Sequence, residues 1–311
     1  MRLLQLEYFL VVVDEGSFTR AAARLMIAQP SLSQQVAGLE REVGGKLLER
    51  LPRGVRLTPA GRSFEPEARK AVSAVNRAKR AAKDALGLRG GEIEIATVLS
   101  VAVGILPPAI AAWRHTFPGV SVGLQEFRHR VLLEAALTNG QADLAIGPRP
   151  QDWPGSVVSL GYEEFVLVLA SGDPVANSDA DVPLSAVARY DWVLFEQDHG
   201  LSALVAGACA KAGFRPSGSI RTSQVEAAAR LAATGAGVAL VPRNIVPPGL
   251  DAAVLRLDPP LLREQTAYAR SEFNAQAASF VNILVTTTTG LGFMTTAPPA
   301  HAWLTDQLRS L

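Results

Sequence analysis

The chain has 311 residues, 48% hydrophobic and 19% charged, with one cysteine, Cys209. That is room for two or three domains with sizeable cores, and it excludes a disulfide framework or a multi-cysteine metal site within the chain. The net charge of +1 conceals a split: residues 1–90 hold 16 Lys and Arg against 9 Asp and Glu (+7), whereas residues 91–311 hold 14 against 20 (−6). A basic head on an acidic body suits a protein that holds DNA at one end. No stretch reaches the ~20 uninterrupted apolar residues of a membrane-spanning helix. Glu7 interrupts the opening Met1–Glu7 run, which argues against a secretory leader, so a soluble cytoplasmic protein with no membrane partner is expected.

In the head, Ser17 is placed to cap a helix that carries Ala21-Ala22-Ala23, a run small enough for a second helix to cross closely. Pro30 suits the first turn of the next helix, where its missing N–H costs nothing. Leu32, Val36, Leu39 and Val43 then form one apolar stripe. The opposite face carries Pro30, Gln34, Ala37 and Arg41, flanked by Ser31 and Ser33. Small and hydrogen-bonding residues there suit a helix that enters a major groove, although a solvated helix of any three-helix bundle would share the spacing. Lys46–Arg50 and Val55–Leu57 flank Leu51-Pro52-Arg53-Gly54, which predicts a hairpin with a glycine turn. It would present Arg50, Arg53 and Arg56 together, to phosphates or a minor groove. Thr58-Pro59 then opens another helix.

On these residues the stretch Leu3–Gly61 resembles the head of a LysR-type transcriptional regulator. The matching segments are Leu6-Glu7-Tyr8-Phe9, Gly16–Ala22, Gln29-Pro30-Ser31-Leu32-Ser33, Leu39-Glu40 and Arg56–Gly61. Two positions depart from the family pattern: Gln34 stands where many members carry arginine, and Leu48 where phenylalanine is common. The resemblance implies a winged helix-turn-helix over residues 1–58 that binds double-stranded DNA at a promoter or operator. Its DNA-contacting candidates are Ser17, Thr19, Arg20, Gln29, Pro30, Ser31, Ser33, Gln34, Arg41, Arg50, Arg53 and Arg56.

Residues 58–88 read as one long helix in which Ala68, Val72, Val75, Lys79, Ala82 and Leu86 follow alternating steps of four and three, the pattern of a two-helix seam. Lys79 interrupts that seam, Pro66 predicts a bend, and Gly87–Gly91 predicts a hinge. A lone helix between two domains would show the same pattern. The resemblance implies a linker and dimerisation helix over 59–90, a homodimer or homotetramer, and RNA polymerase as a further partner.

From Glu92 onward strands and helices alternate. Strands are expected at 93–96, 120–124 and 142–147, then at 165–169, 192–195, 219–221 and 237–241. Helices are expected at 102–116, 130–138, 201–212 and 224–234. This predicts two α/β subdomains with largely parallel sheets. More loosely, Leu106-Pro107, Phe117-Pro118, Gly140–Ile146 and Gly235–Pro242 resemble the periplasmic-binding-protein-like effector domain of the same family. The resemblance places an effector module over 91–290, with subdomain I at 91–162 and 267–290 and subdomain II at 163–266, leaving a tail at 291–311. The overall expectation is therefore an α/β multidomain chain: winged head, linker helix and two-subdomain effector module.

Ligands of open α/β sheets gather at strand C-terminal ends, where helix N-termini present free N–H groups. Four such places occur: Val98-Leu99-Ser100, Phe127-Arg128, Asp198-His199 and Thr222-Ser223, with Arg149 nearby. Each also reads as simple helix capping; the resemblance puts the effector between the subdomains at these loops. Arg128 and Arg149, with the hydroxyls of Ser100, Thr222 and Ser223, predict an anionic head on the effector, and Val98, Leu99 and Phe127 an apolar body. Gly235-Ala236-Gly237 is followed by a strand and so is not a phosphate loop. The four histidines lack metal-ligand spacing, no catalytic triad is legible, and no cofactor or metal is expected. A solute-binding protein or an enzyme built on the same body is the competing class. In the tail, Thr286–Thr289 reads as a loop, with a short helix holding Trp303, Leu304, Leu308 and Leu311.

Overall fold

The structure is a computed structural model that describes residues 1–51, 54–85, 91–177, 181–296, 299 and 301–304. It divides into two compact units: Met1–Gly91 with Thr138–Gln141, and Glu92–Leu137 with Ala142–Leu311.

In the first unit α1 (Leu3–Glu15), α2 (Phe18–Arg24) and α3 (Gln29–Val43) precede the strands β1 (Leu48–Leu51) and β2 (Gly54–Leu57). Gly16 ends α1 at φ +57°, and the Ser17 hydroxyl accepts the Arg20 N–H at 3.4 Å as N-cap of α2. Pro30 sits in the first turn of α3. Ala21 is fully buried, so the helices meet closely around Phe9, Leu32, Leu39 and Leu47, also fully buried. The apolar stripe of α3 stops at Leu39. Val43 is 42% exposed, because the helix ends at Gly44 and its last three residues, Arg41, Glu42 and Val43, all face solvent.

The hairpin pairs Leu48 with Leu57 and Leu51 with Gly54, so the ladder takes in two residues expected in the turn. Residues 52–53 lie outside the described residues, and Arg53 with them. Gly54, at φ +120°, lies so close to Gly16 that a Cβ would meet its carbonyl at 2.7 Å. The neighbouring Val55 N–H donates to that carbonyl at 2.9 Å. The wing is thereby tied to the turn between α1 and α2. Thr58 receives the Gly61 N–H at 3.0 Å and donates to the Lys46 carbonyl at 2.6 Å, capping α4 (Pro59–Ala85), which continues through Pro66. Ala68 and Val72 pack into the head, whereas Val75, Lys79 and Ala82 are exposed. Leu86 and the expected hinge up to Gly90 lie outside the described residues.

The second unit opens with β3 (Glu92–Val98), α5 (Leu99–Gly104), α6 (Leu106–Thr116), β4 (Ser121–Phe127), α7 (Arg130–Thr138), β5 (Leu144–Pro148) and β6 (Val157–Leu169). It continues with β7 (Asp191–Phe195), α8 (Gly200–Lys211), β8 (Ser217–Thr222), α9 (Val225–Ala233), β9 (Ala239–Pro242) and β10 (Ala253–Arg256). The last elements are β11 (Leu261–Tyr268), α10 (Ala275–Gly290) and β12 (Trp303–Leu304). The helix expected over 102–116 is two, broken at Ile105, since Pro107 and Pro108 have no N–H to donate to the preceding turn.

The main sheet runs β10-β6-β11-β5-β3-β4, with β9 beside β6 and β12 beside β11; β7 and β8 form a separate pair. Largely parallel sheets were expected, but the main sheet is mixed. β3 pairs β4 and β5 in parallel, whereas β6 and β11 run antiparallel to each other and to β10, β9 and β5. The reason is topological: β6 and β11 are long strands that carry the chain between two cores in opposite directions. One core holds Leu160 of β6 and Ala267 and Tyr268 of β11, around Trp113 and Phe280. The other holds Phe165–Leu169 of β6 and Leu261 of β11, around Trp192 and Phe195.

Two expectations for the tail are corrected. Thr286–Thr289 belong to α10, because their hydroxyls donate to carbonyls of the preceding turn (Asn282, Ile283 and Val285, at 2.8–3.2 Å). Trp303 and Leu304 form a strand beside Leu261 and Leu262, not a helix. The Trp303 ring packs on the second core with the Lys211 ammonium 5.0 Å from its centroid. Residues 305–311 lie outside the described residues.

Candidate nucleic-acid interface and ligand cavity

On the head, α3 turns Leu32 and Val36 into the core and leaves Gln29, Pro30, Ser31, Gln34 and Arg41 exposed on its outer side. Thr19 and Arg20 of α2 are exposed too, whereas Ser17 is spent on its cap. Ser33 is the meeting point of helix and wing: it accepts from Gln29 at 3.5 Å and from Arg50 of β1 at 3.1 Å. The Arg50 guanidinium also lies 4.6 Å above the Phe18 ring, so this cation is held against the helix rather than waving in solvent. Arg56 is paired with Glu49 across the hairpin at 2.7 Å, Arg20 lies against Glu15, and Arg41 donates to the Ala37 carbonyl.

Glu40, on the inner side of α3, was not among the candidates. Its side chain is 7% exposed, and it accepts the Leu47 and Leu48 N–H groups at 3.0 and 3.1 Å and the Lys46 ammonium at 2.7 Å. Burial alone would raise its pKa, but the Lys46 bond and the two amides outweigh burial and hold it below the usual carboxylate value. One carboxylate thus ties the start of the wing, Lys46–Leu48, to α3.

In the second unit a cavity of about 990 Å³ lies where the C-terminal ends of β3 and β4 meet the end of β7 and the start of α8. Of the ten candidates, Val98, Leu99, Ser100, Arg128, Asp198 and His199 line it. The other four do not. Phe127 packs on the core around Trp113, Arg149 is paired with Glu264 at 3.0 Å, and Thr222 accepts the Gln224 N–H at 3.0 Å beside Ser223. Arg130, Arg215, Arg221 and Arg263 line the cavity and were missed. Arg263 lies on β11, a strand buried at every position but Glu264, so no alternation announced it.

Three buried groups at this cavity share one property. The His199 side chain caps α8, its Nδ1 accepting the Leu201 N–H at 3.0 Å. The proton of the neutral ring is therefore on Nε2, which is buried without a hydrogen-bond partner. Burial first, then Arg263 and Arg128, push its pKa down to about 4, outweighing Asp198 and Glu196, and the ring stacks on Phe195 at 4.8 Å. Ser100, 3% exposed, accepts from the Arg263 guanidinium at 3.0 Å, which leaves its own proton for another acceptor. Arg263 has only donors. Ser100, His199 and Arg263 thus offer N–H and O–H groups, and the chemistry that satisfies them is an acceptor such as a carboxylate. Across the cavity Arg128 reaches Glu196 and Asp198 at 3.1 and 2.9 Å, and its carbonyl accepts the Gly200 N–H at 2.8 Å. Among the described residues no group of His, Cys, Asp and Glu could hold a metal ion, and no helix is long and apolar enough to cross a membrane.

Two family models match: the bacterial regulatory helix-turn-helix protein, lysR family, over residues 3–62, and the LysR substrate binding domain over residues 87–288. The chain is 32% identical over 245 residues to a probable hydrogen peroxide-inducible genes activator of Mycobacterium avium, covering 78% of each. It is 30% identical over 249 residues to the DNA-binding transcriptional dual regulator OxyR of Escherichia coli, covering 80% of this chain and 81% of that one. The fold is also that of full-length CbnR complexed with its target DNA, at a TM-score of 0.67 and 22% identity over 92% of this chain and 99% of the other.

Proposed function

The chain belongs to the LysR family of bacterial transcriptional regulators, and from that premise we propose how its parts divide the work. It is a regulator rather than an enzyme: it binds double-stranded DNA through its head, and a small-molecule effector held in the second unit modulates that binding. It works as a homo-oligomer in the cytoplasm, where bacterial DNA lies. The outer side of α3 enters the major groove, with Gln34 reaching base edges and Gln29, Ser31 and Arg41 beside it. Arg50, Arg53 and Arg56 of the wing meet phosphate or the minor groove. The exposed half of α4, with Val75 and Ala82, pairs with the same helix of a second copy.

The effector is a small organic anion. The observation that supports this is the convergence of Ser100, His199 and Arg263, three buried donor groups lining one cavity beside the apolar Val98 and Leu99. A sugar would match its hydroxyl protons against these three donor groups rather than against acceptors. Some relatives are named as activators of hydrogen peroxide-inducible genes, but a thiol-pair switch does not fit this chain. Cys209 is alone, fully buried in α8, and burial pushes its thiol up to about 12. A thermal-shift screen of small acids, sugars and inorganic anions against the full chain tests the effector class. Carboxylates should raise the melting temperature of wild type but not of Ser100→Ala; stabilisation by polyols alone would contradict the proposal.

A further inference from the structure

Behind the cavity lies a buried ion pair between the two long strands. Glu163 on β6 and Arg263 on β11 are direct cross-strand partners, 2% and 6% exposed. The Glu163 carboxylate is consumed from behind. One oxygen takes the Arg263 guanidinium and the Gln265 amide, and the other takes the Asn244 amide at 3.4 Å. Glu163 does not line the cavity; Arg263 does, held over the Phe165 ring at 5.2 Å. Burying such a pair is costly, and an apolar pair of similar volume is often as stable or more so. Glu163 therefore calls for a role beyond stability.

The charge count supplies one. Five arginines line the cavity: Arg128, Arg130, Arg215, Arg221 and Arg263. Four carboxylates pair with them: Glu196 and Asp198 with Arg128, Glu134 with Arg130, and Glu163 with Arg263. Five against four leaves a net of +1. Resting on the effector site proposed above, we infer that Glu163 is its specificity-determining residue, limiting the ligand to a single negative charge. The site takes a monocarboxylate, which Arg263, His199 and Ser100 can all donate to, and rejects dicarboxylates, sulfate and phosphate. A second negative charge would exceed that net of +1, because Glu163 already matches Arg263, and Asp198 and Glu196 already match Arg128.

The test compares butyrate with succinate, which have the same carbon count but one and two carboxylates. Each is titrated at pH 7.5 into the full-length chain with 15N-labelled histidine, following the His199 ring signal. Butyrate should bind wild type at least tenfold more tightly. Glu163→Gln, which makes the net +2, should move the ratio toward succinate by on the order of tenfold. Glu163→Asp, which keeps the charge, should retain the wild-type preference. Succinate binding wild type as well as butyrate does, or a ratio unmoved in Glu163→Gln, overturns the inference. Should Glu163→Gln not fold, the wild-type ratio alone decides. A His199 signal that responds to neither acid sinks the effector site as a whole, whereas a response in the wrong ratio sinks only the charge limit.

Discussion

Protonating His199 should destabilise the second unit by an amount the structure lets one work out. The imidazole is 4% exposed, and its Nδ1 is committed to the Leu201 N–H, an arrangement only the neutral ring can make. Its pKa is pushed down to about 4 from an ordinary 6.5, chiefly by burial. Between these values the folded chain binds fewer protons than the unfolded one, so stability rises with pH. The contribution is complete above about pH 6.5 and is lost as pH falls toward 4. Two and a half units at 1.36 kcal/mol each give about 3 kcal/mol in all, most of it gone by pH 4.5. All four tryptophans, Trp113, Trp153, Trp192 and Trp303, lie in the second unit, so urea unfolding followed by their fluorescence reads this unit alone. His199→Asn keeps a side-chain acceptor for the Leu201 N–H but cannot take up the proton. The variant should lose less stability between pH 7.5 and 4.5 than wild type, by about 2–3 kcal/mol. Equal losses in the two proteins would refute the argument.

Gln34→Ala should cost about 1–3 kcal/mol on the correct operator and little on random DNA; equal losses on both would remove the base-reading role. Glu40→Ala leaves two buried N–H groups without an acceptor, at a cost of roughly 2–4 kcal/mol to the head by thermal or urea unfolding. Since the Glu40 pKa is depressed, its share of stability should also fade as pH drops through the acidic range. A neutral Glu40→Ala would mean that the wing is held by other contacts. Cys209→Ala should bind DNA as wild type does, with or without hydrogen peroxide, since a thiol at about 12 holds little thiolate at neutral pH. A peroxide response that vanishes in the variant would point to sulfenylation or an intermolecular bridge.

Much of the head was legible because its signals are local. Ser17 caps, Pro30 opens a helix, and the alternation around Leu32 and Val36 separates core from surface within one or two turns. The ligand cavity was half legible for the same reason. Val98, Leu99, Ser100, Asp198 and His199 sit at strand ends and helix starts, which local pattern marks. Arg263 and Glu163 were not found because their meaning is long-range, one hundred residues apart and joined only by the β6–β11 register. β11 is buried at every position but Glu264, so its period-two signal is lost. On β6 the charged Glu163 takes a buried place between the half-buried Tyr162 and Glu164, where alternation predicts an apolar residue. The Thr286–Thr289 run misled because threonine favours non-helical backbone by composition, yet here each hydroxyl is satisfied within α10.

The central claim is tested most directly by fluorescence anisotropy of the full chain on the DNA upstream of its own gene, against a scrambled fragment of equal length. Salt is varied in both series, and a monocarboxylate found by thermal shift is added or withheld. The upstream fragment should bind at least a thousandfold more tightly than the scrambled one at physiological salt. Affinity should fall steeply with added salt on both fragments, and the acid should shift binding only on the upstream one. Equal affinity for the two fragments, or binding indifferent to an acid that demonstrably occupies the cavity, would contradict it.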